Sequence, residues 1–355
     1  MNRTGMVSRR RFGRWMLGAC AAPTLAASPA RAQAKRLSVV VSAVYKRSFD
    51  RFIVPKMKEL YNVDVAASAL LSSEALARSI AQRASPQISL LTLDQGPWLQ
   101  GKDLGLWAKF DEAIVGNLAD IPVAYKDPDG RGSSLFSNLT VLVYDADAVK
   151  AAGLPAPASF FDLWAPGYRN RISIPQFTNT YAFATLARTT SLLGGDPKTS
   201  FDIGFAKMKE LKPNVRTFMG PLGQVIQMFQ QKEIWLAFVP HFSAIQSAAN
   251  GLPVRWAEPS EGAVATSHYL AIPENAPNRD EAQKLANLML SPENQKFMAE
   301  TDSMGPVNTR TRLDPAIAGN FPSADAVAKA AQVPWAEYNK HRVALAERWQ
   351  REIQQ

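Results

Sequence analysis

The sequence is poor in the residue types that most often carry redox and metal chemistry. Its 355 residues include one cysteine, Cys20, and three histidines. It contains no H-E-x-x-H, no G-x-S-x-G, no Walker-type phosphate loop and no G-x-G-x-x-G pattern. The sequence therefore argues against a disulfide framework, a thiol nucleophile and a preassembled transition-metal or iron–sulfur site. A hydrolase that uses two carboxylates stays open, because paired acids meet in space without any local spacing.

Four arginines precede a short apolar run near the N-terminus, where residues 8–20 read SRRRFGRWMLGAC. Cationic residues, an apolar run and small residues around Ala32 and Ala34 together form the pattern of an export signal. The run over residues 15–27 is too short to span a bilayer, which takes about 20 apolar residues. We therefore expect residues 1–34 to be a signal peptide that is cleaved after Ala32 or Ala34.

The arginine pair indicates a particular export route. Arg9 and Arg10 followed by Phe12 resemble the twin-arginine signal, which exports proteins that have already folded. An ordinary secretory signal is the alternative, and it leads to the same destination. The segment from Leu17 to Cys20 also resembles a lipobox, which would attach lipid to Cys20.

The excess of positive charge lies mostly in this N-terminal segment. Residues 1–34 hold six arginines and no acidic residue, so their removal lowers the formal net charge from +9 to +3. A nucleic-acid partner or stable membrane insertion is therefore not expected, although a pI near 9.6 suggests one at first sight. The remaining 321 residues exceed the roughly 250–300 residues at which one core stops growing. We expect two lobes.

Strand and helix patterns alternate along these residues. A β-branched run at 37–41 is followed by a helical pattern over 49–60, and a similar unit with a helix over 180–193 and a strand over 234–239 comes after the prolines at 155 and 157. Such alternation predicts α/β units with largely parallel sheets. We expect lobe 1 to begin with residues 35–144, lobe 2 to comprise residues 145–264, and residues 265–355 to return to lobe 1 and end in helices.

Several short segments together resemble the extracellular solute-binding proteins of ABC transporters, in the group that holds the spermidine/putrescine, ferric-ion and thiamine receptors. In chain order these segments are VYD at 143–145, FDLW at 161–164, ISIP at 172–175, WAEPSEGA at 256–263, LAIP at 270–273, SPENQ at 291–295 and PVN at 306–308. The resemblance implies a periplasmic-binding-protein fold of type II, with two lobes of mostly parallel sheet joined by a hinge of two crossings. It also implies a periplasmic monomer without cofactor or enzymatic activity that delivers a small solute to an ABC permease and its ATPase.

Candidate solute-binding residues in the first lobe follow strands or begin helices. Ser42 and Tyr45 come just after the first strand, where a hydroxyl could bond a ligand and an aromatic ring could stack on it. Ser73, beside Ser72, begins a helix at the same predicted edge, and Asn138 lies next to the first crossing. Loop packing, helix capping and turn structure explain these residues equally well.

Candidates in the second lobe and on the returning strand complete the predicted site. Thr178, Asn179 and Thr180 precede a helix whose first backbone amides could hold an anionic or strongly polar group, although capping alone also explains them. His241 follows an apolar strand and His268 lies on the returning strand. Either histidine could donate to an oxyanion or accept from an ammonium group, and either could be a core residue.

The charge of the solute is predicted from what the family resemblance implies. Ferric receptors of this group use tyrosine oxygens, often an adjacent pair, and no Tyr-Tyr pair occurs here, so we expect no tight ferric binding. Polyamine receptors carry a tryptophan and an aspartate on the returning strand, where this sequence has Thr266 and His268. Because an unpaired ammonium is costly to desolvate, we expect a polar solute and an anionic one in particular. A polyamine receptor of the same family remains the alternative.

Overall fold

A mixed β-sheet of nine strands forms the centre of residues 35–355, the part of the chain that this computed structural model describes; for residues 324, 325 and 328 the description covers the backbone alone. The predicted signal peptide and its arginine pair lie outside the described residues. The strands are β1 Lys35–Val41, β2 Val63–Ala69, β3 Leu90–Asp94, β4 Ser133–Asp145, β5 Ile172–Pro175, β6 Val215–Met219, β7 Leu236–Pro240, β8 Val254–Ala257 and β9 Val264–Ala271.

The strand order across the sheet is β2-β1-β3-β9-β4-β7-β5-β6, and β8 also pairs with β4. Two groups of parallel strands, β1 to β3 and β5 to β7, stand at the two ends of this order. Between them β4 and β9 run antiparallel to their neighbours. The sheet is therefore mixed, and the predicted parallel pairing is found within each group of strands.

Strand β4 belongs to both ends of the sheet. Its residues from Ser133 to Thr140 pair with β9, and those from Thr140 to Tyr144 pair with β7. We call β1, β2, β3 and β9 with their helices the first half, and β5 to β8 with theirs the second half. The pairing partner of β4 changes from β9 to β7 at Thr140, which comes before the predicted lobe boundary at residue 144. All described residues belong to one compact unit, so the division into lobes stays a prediction.

Helices cover both faces of the sheet. They are α1 Lys46–Ser48, α2 Val54–Tyr61, α3 Ser72–Ala81, α4 Gln95–Asp103, α5 Ala146–Ala151, α6 Thr180–Leu192, α7 Asp202–Glu210, α8 Gly223–Gln230, α9 Phe242–Ala249, α10 Arg279–Met289, α11 Pro292–Asp302, α12 Pro315–Ala318, α13 Ala324–Lys329 and α14 Trp335–Trp349. Among residues 35–355, none of them combines the length and the apolar character that crossing a membrane requires.

Each half has its own apolar core. In the first half, side chains of β1 such as Leu37 and Val39 pack against α2, α10 and α11. In the second half, aromatic side chains dominate, among them Phe183 and Trp349, which have no more than 1% of their surface exposed. Burying each such side chain stabilises the fold by about 1.5–3 kcal/mol. The packing in these cores holds the strands of each half, and thereby the strand ends, in place.

The helix α14 connects the two halves. Its residues Trp335, Tyr338 and Trp349 pack into the second-half core. At its first turns, Trp335 Nε1 donates a hydrogen bond to Gln95 Oε1 (3.1 Å) and Asn339 Nδ2 donates to the Gly96 carbonyl (3.0 Å). Both acceptors belong to the start of α4 in the first half. The predicted C-terminal helix is therefore present, and it packs across both halves.

Candidate functional site

A cavity of about 750 Å³ lies between the two halves. The first half contributes the ends of β1, β2 and β3 and the segments that begin the following helices, and the second half contributes the starts of α6, α8 and α9. The end of α11 closes one side. In α/β sheets the carboxyl ends of parallel strands leave a crevice where ligands bind, and this cavity occupies that position in both halves. Its volume suits a small organic molecule.

Seven of the nine predicted site residues line this cavity. They come from both halves and from β4, and they are Ser42, Ser73, Asn138, Thr178, Asn179, Thr180 and His268. The other two, Tyr45 and His241, do not line it.

Tyr45 lies behind the cavity wall because the chain turns inward directly after β1. Residues Ala43–Tyr45 form a short 3₁₀ helix that leaves Tyr45 1% exposed. Its hydroxyl donates a hydrogen bond to Thr92 Oγ1, and its ring stands edge-on to Phe136 and His268. Burial raises the pKa of this phenol. Tyr45 therefore supports the residues of the cavity floor instead of presenting its ring to a solute.

His241 is a core residue between β7 and α9. It is fully buried, its Nδ1 accepts a hydrogen bond from the Leu139 amide (3.4 Å), and the rings of Trp256 and Phe321 stand edge-on to it. Burial lowers its pKa to about 4. A histidine after an apolar strand can lie either in a ligand cavity or in the core. Here Trp256 packs against the imidazole, and His241 lies in the core.

Asp94 connects His268 to the second half at the floor of the cavity. It ends β3 directly opposite His268 on β9, and His268 Nε2 lies 2.6 Å from Asp94 Oδ1. From the second half, Thr180 Oγ1 donates to Asp94 Oδ2 (3.1 Å). The Asp94 amide donates to Ser72 Oγ (2.9 Å). Asp94 is thus held by three separate elements, two of which contact its carboxylate and one its backbone amide.

The surroundings of Asp94 favour its ionised form. Burial acts to raise its pKa, but the charge of His268 and the hydrogen bonds from His268, Ser72 and Thr180 outweigh burial and hold the pKa below its ordinary value. Asp94 therefore carries a negative charge at neutral pH. The sequence argument found no carboxylate on the returning strand, and β9 indeed has none; the neighbouring strand β3 supplies one at the same place.

The start of α6 is already capped by its own residues. Asn179 Oδ1 accepts from the Tyr181 amide (3.1 Å), and Asn179 Nδ2 donates to the Gly220 carbonyl (2.9 Å). The Ala182 amide donates to the Asn179 carbonyl (3.1 Å). The first amides of this helix are therefore largely used within the protein, which leaves less for an anionic ligand than the sequence suggested.

The start of α3 carries a negative side chain of its own. Glu74 Oε2 accepts from the Leu71 amide (3.0 Å), so the carboxylate of Glu74 lies at the positive end of the helix dipole. Ser73, next to it, is half-buried and lines the cavity. A second anion at this helix start would meet the repulsion of Glu74.

The opposite side of the cavity holds an ion pair and a further link between the halves. Arg47 Nε donates to Asp302 Oδ1 (3.2 Å), and Asp302 Oδ2 accepts from the Ser48 amide (2.9 Å). From α9 in the second half, Gln246 Nε2 donates to the Asp302 carbonyl (2.8 Å). Arg47 is thus already paired with an acid of the lining.

Two buried polar atoms of the floor have no hydrogen-bond partner within the described part of the chain. They are Asn138 Oδ1 and His268 Nδ1, and both residues are less than one-tenth exposed. Asn138 lies two positions after Phe136 on β4, and Phe136 pairs with His268, so Asn138 and His268 share one face of the sheet. An unpartnered acceptor on the cavity face is available to a ligand donor.

The cavity residues do not assemble a metal site. Within residues 35–355, no group of three or more histidine, cysteine, aspartate and glutamate side chains is arranged to hold a metal ion.

Sequence reasoning missed the charged residues of the lining. Asp94, Arg47 and Asp302 were not among the predicted site residues, although all three line the cavity. Asp94 is the last residue of a strand and directly precedes a helix, and position at a strand end is the criterion that selected Ser42. That signal could have found it. Asp302, at the end of α11, has no comparable local signature.

Comparisons with known proteins agree with the fold. Residues 98–341 match the family described as bacterial extracellular solute-binding protein. An ABC transporter structure from Clostridium perfringens superposes with a TM-score of 0.74 at 23% identity, covering 89% of this chain and 99% of that one. The predicted fold class, an α/β periplasmic-binding-protein fold, is thereby confirmed.

Curated relatives share part of their length with this chain. The spermidine/putrescine-binding periplasmic protein of Salmonella typhimurium is 29% identical over 197 residues, which cover 54% of this chain and 55% of that protein. The protein of the same name from Escherichia coli is 28% identical over 240 residues, which cover 63% of this chain and 66% of that protein. The matched segments thus span between about half and two-thirds of these relatives.

Proposed function

The chain belongs to the bacterial extracellular solute-binding protein family, and from this membership we propose that it is a receptor that carries a small polar solute to an ABC permease. The observation that carries the proposal is the cavity between the two halves, whose polar lining comes from both. A solute bound there contacts both halves at once. Such contacts stabilise a closed form only as far as they differ between the closed and open forms.

The charge of the lining supports a solute with a protonated amino group. Four acids line the cavity against one arginine and one histidine, and these residues are Glu74, Asp94, Glu300, Asp302, Arg47 and His268. Arg47 is engaged by Asp302. The names of the Salmonella typhimurium and Escherichia coli relatives point to amine ligands as well.

This proposal revises the expectation of an anionic solute. That expectation rested on a missing carboxylate and on free amides at the start of α6. Asp94 now lies beside His268 in the cavity, and Asn179 caps α6. An anion would therefore meet an acidic lining, whereas an ammonium group would find a carboxylate that offsets its desolvation.

The cellular setting follows from the same membership. We place the receptor in the periplasm, exported by the signal within residues 1–34, where it acts as a monomer on its permease and ATPase. The relatives are periplasmic binding proteins. No step of this role requires chemistry on the solute, so the protein is proposed to be a binding protein and not an enzyme.

Calorimetric titration of the purified protein tests the proposal. The panel consists of putrescine, spermidine, arginine, 4-aminobutanoate, succinate, phosphonoacetate and ferric citrate. We expect a clear binding signal with at least one of the four amines and none with succinate, phosphonoacetate or ferric citrate. The bound amine should be recovered unchanged, which separates a receptor from a hydrolase.

Each other outcome of the titration contradicts a particular part of the proposal. Binding of succinate or phosphonoacetate alone would keep the receptor and restore the anionic solute. A phenolate-to-iron absorption band on addition of ferric citrate would contradict the expected lack of ferric binding. No binding to any member, or conversion of a bound compound, would overturn the receptor itself.

A further inference from the structure

Asp94 has a position that no other acid of the cavity lining shares. It stands at the floor, where β3 ends, and its two carboxylate oxygens take hydrogen bonds from different halves of the sheet. Glu74 is turned to the amide of its own helix start, and Asp302 is bound by Arg47 and the Ser48 amide. Asp302 meets the second half only through its backbone carbonyl, which accepts from Gln246. Within residues 35–355, Asp94 is thus the lining acid whose carboxylate is bonded both by its own half and by the opposite one.

The carboxylate of Asp94 retains capacity to accept hydrogen bonds. An ionised carboxylate has about four lone-pair sites, of which His268 and Thr180 use one each, and Ser72 is a further partner. The side chain of Asp94 is 19% exposed and lines the cavity. On the same sheet face, Asn138 Oδ1 is a second acceptor without a partner among the described residues. The floor of the cavity therefore presents hydrogen-bond acceptors that a donor group of a ligand would satisfy.

A protonated amino group matches this arrangement better than a neutral donor does. It brings up to three N–H donors and a positive charge, and charge-assisted hydrogen bonds are about twice as strong as neutral ones. A quaternary ammonium brings the charge without any donor, so it would leave the Asn138 acceptor unsatisfied. The floor thus distinguishes amines by their N–H groups and not by charge alone.

Thr180 makes the same carboxylate part of the contact between the halves. The hydroxyl belongs to the first residue of α6, which packs in the second-half core. The bond from Thr180 to Asp94 therefore exists only while the halves are as close as they are here. A charged ligand group next to Asp94 would therefore affect the hydrogen bond between the two halves.

We infer that Asp94 is the specificity-determining residue of this site: its carboxylate contacts an N–H-bearing ammonium group of the solute and, through Thr180, ties that contact to the closed arrangement of the two halves. The inference rests on the proposed function, since it presumes a solute in this cavity. His268 Nε2 contacts the same carboxylate from β9 at 2.6 Å.

Binding measurements on substituted proteins test the inference. Putrescine, spermidine, arginine and 4-aminobutanoate are titrated into the unsubstituted protein and into Asp94→Asn, which keeps the shape of the side chain and removes its charge. For each amine that binds the unsubstituted protein, we expect the dissociation constant to rise at least about 30-fold, as for loss of a charged hydrogen-bond partner. The matched control is Asp103→Asn, an exposed acid at the other end of α4 that does not line the cavity. It should leave the affinity unchanged.

Thr180→Val tests the link between the halves. The substitution keeps the volume and removes the hydroxyl, and we expect a rise in the dissociation constant of at least about 10-fold, as for one hydrogen bond to a charged group. An affinity equal to that of the unsubstituted protein would overturn the role of Thr180 in closure.

A variation of the ligand keeps the inference testable if Asp94→Asn does not fold. The trimethylammonium analogue of each bound amine has the same charge without N–H donors. We expect the unsubstituted protein to bind it at least about 10-fold more weakly than the amine, as for loss of a charge-assisted hydrogen bond. Equal affinity would contradict the need for N–H groups.

Failure of the inference differs from failure of the proposed function. If Asp94→Asn is folded by circular dichroism and binds an amine as tightly as the unsubstituted protein, Asp94 does not determine specificity and the receptor stands. If the unsubstituted protein binds only succinate or phosphonoacetate, the inference is overturned and the receptor again stands. Absence of all binding contradicts the receptor itself.

Discussion

His241 is the residue whose buried state has the clearest consequence for stability. It has no exposed surface, and burial lowers its pKa from 6.5 to about 4. Aromatic rings of Trp256 and Phe321 surround it, and its one hydrogen bond comes from the Leu139 amide. In the unfolded chain the same side chain takes up a proton near pH 6.5. The folded state therefore keeps a neutral imidazole that the unfolded state protonates.

This difference predicts how stability changes with pH. The contribution of His241 is fully present above pH 6.5 and is lost as the pH falls towards 4, to a maximum of about 3 kcal/mol. We expect His241→Asn, which cannot titrate, to reduce the loss of unfolding free energy between pH 7 and pH 4.5 by about 2 kcal/mol. Urea unfolding at the two pH values, followed by tryptophan fluorescence, measures it.

The control for this prediction is His341→Asn, since the side chain of His341 is 57% exposed. Its pH dependence should equal that of the unsubstituted protein. If His241→Asn also shows the unsubstituted pH dependence, the imidazole is not kept neutral by the fold.

At the scale of elements, the position of α4 determines the cavity floor. Asp94 lies at its N-terminal end, and the helix packs through Gly101 against Trp107, which is fully buried. Trp107 follows this helix in the chain, and its indole nitrogen donates to the carbonyl of Trp98, which lies in α4 (2.7 Å). The close approach of helix and ring is possible because position 101 has no side chain.

A methyl group at position 101 should therefore destabilise the fold. The Cβ of an alanine would lie 2.1 Å from Trp107 Cζ2, and a buried ring cannot move aside freely. We expect Gly101→Ala to lower the free energy of unfolding by about 1–3 kcal/mol, as overpacking does. Gly116→Ala is the matched control, because no atom lies within 4 Å of its Cβ position. Equal stability of the two variants would show that the ring is not confined.

At the scale of the whole molecule, the distribution of charge in the sequence separates the predicted signal peptide from the rest. Six arginines and no acids lie within residues 1–34, whereas the remainder carries a formal charge of +3. Two-thirds of the net positive charge of the chain therefore lies in the predicted signal peptide, whereas the lining of the cavity contains more acidic than basic side chains. The strongly basic pI of the whole sequence would by itself have suggested an anionic ligand.

The arginine pair predicts the export route. Replacing Arg9 and Arg10 by lysine should leave precursor in the cytoplasm, because the twin-arginine signal is specific for the pair. Cell fractionation followed by detection of the protein measures its distribution. Replacing Arg3 and Arg14 by lysine is the control and should leave export unchanged. Normal export of the Arg9 and Arg10 variant would contradict this route, though not the periplasmic destination.

The sequence by itself determined the elements of the fold. Helix α6 was expected over 180–193 and extends over Thr180–Leu192, because its apolar period and the Asn179 cap are local features. Strand β4, by contrast, extends back to Ser133 because its first residues pair with β9, which lies more than a hundred residues away. Long-range pairing of this kind leaves no local signal.

Only the tertiary structure decided the chemistry of the cavity. From the sequence, seven of its lining residues could be named. Five of them follow strands or precede helices, Asn138 lies next to the first crossing, and His268 lies on the returning strand. The inward turn of Tyr45, the burial of His241 and the meeting of Asp94 with His268 and Thr180 depend on how β3, β9 and α6 pack. The charge that a solute meets is a property of groups brought together from distant parts of the chain, and a sequence pattern does not contain their distances.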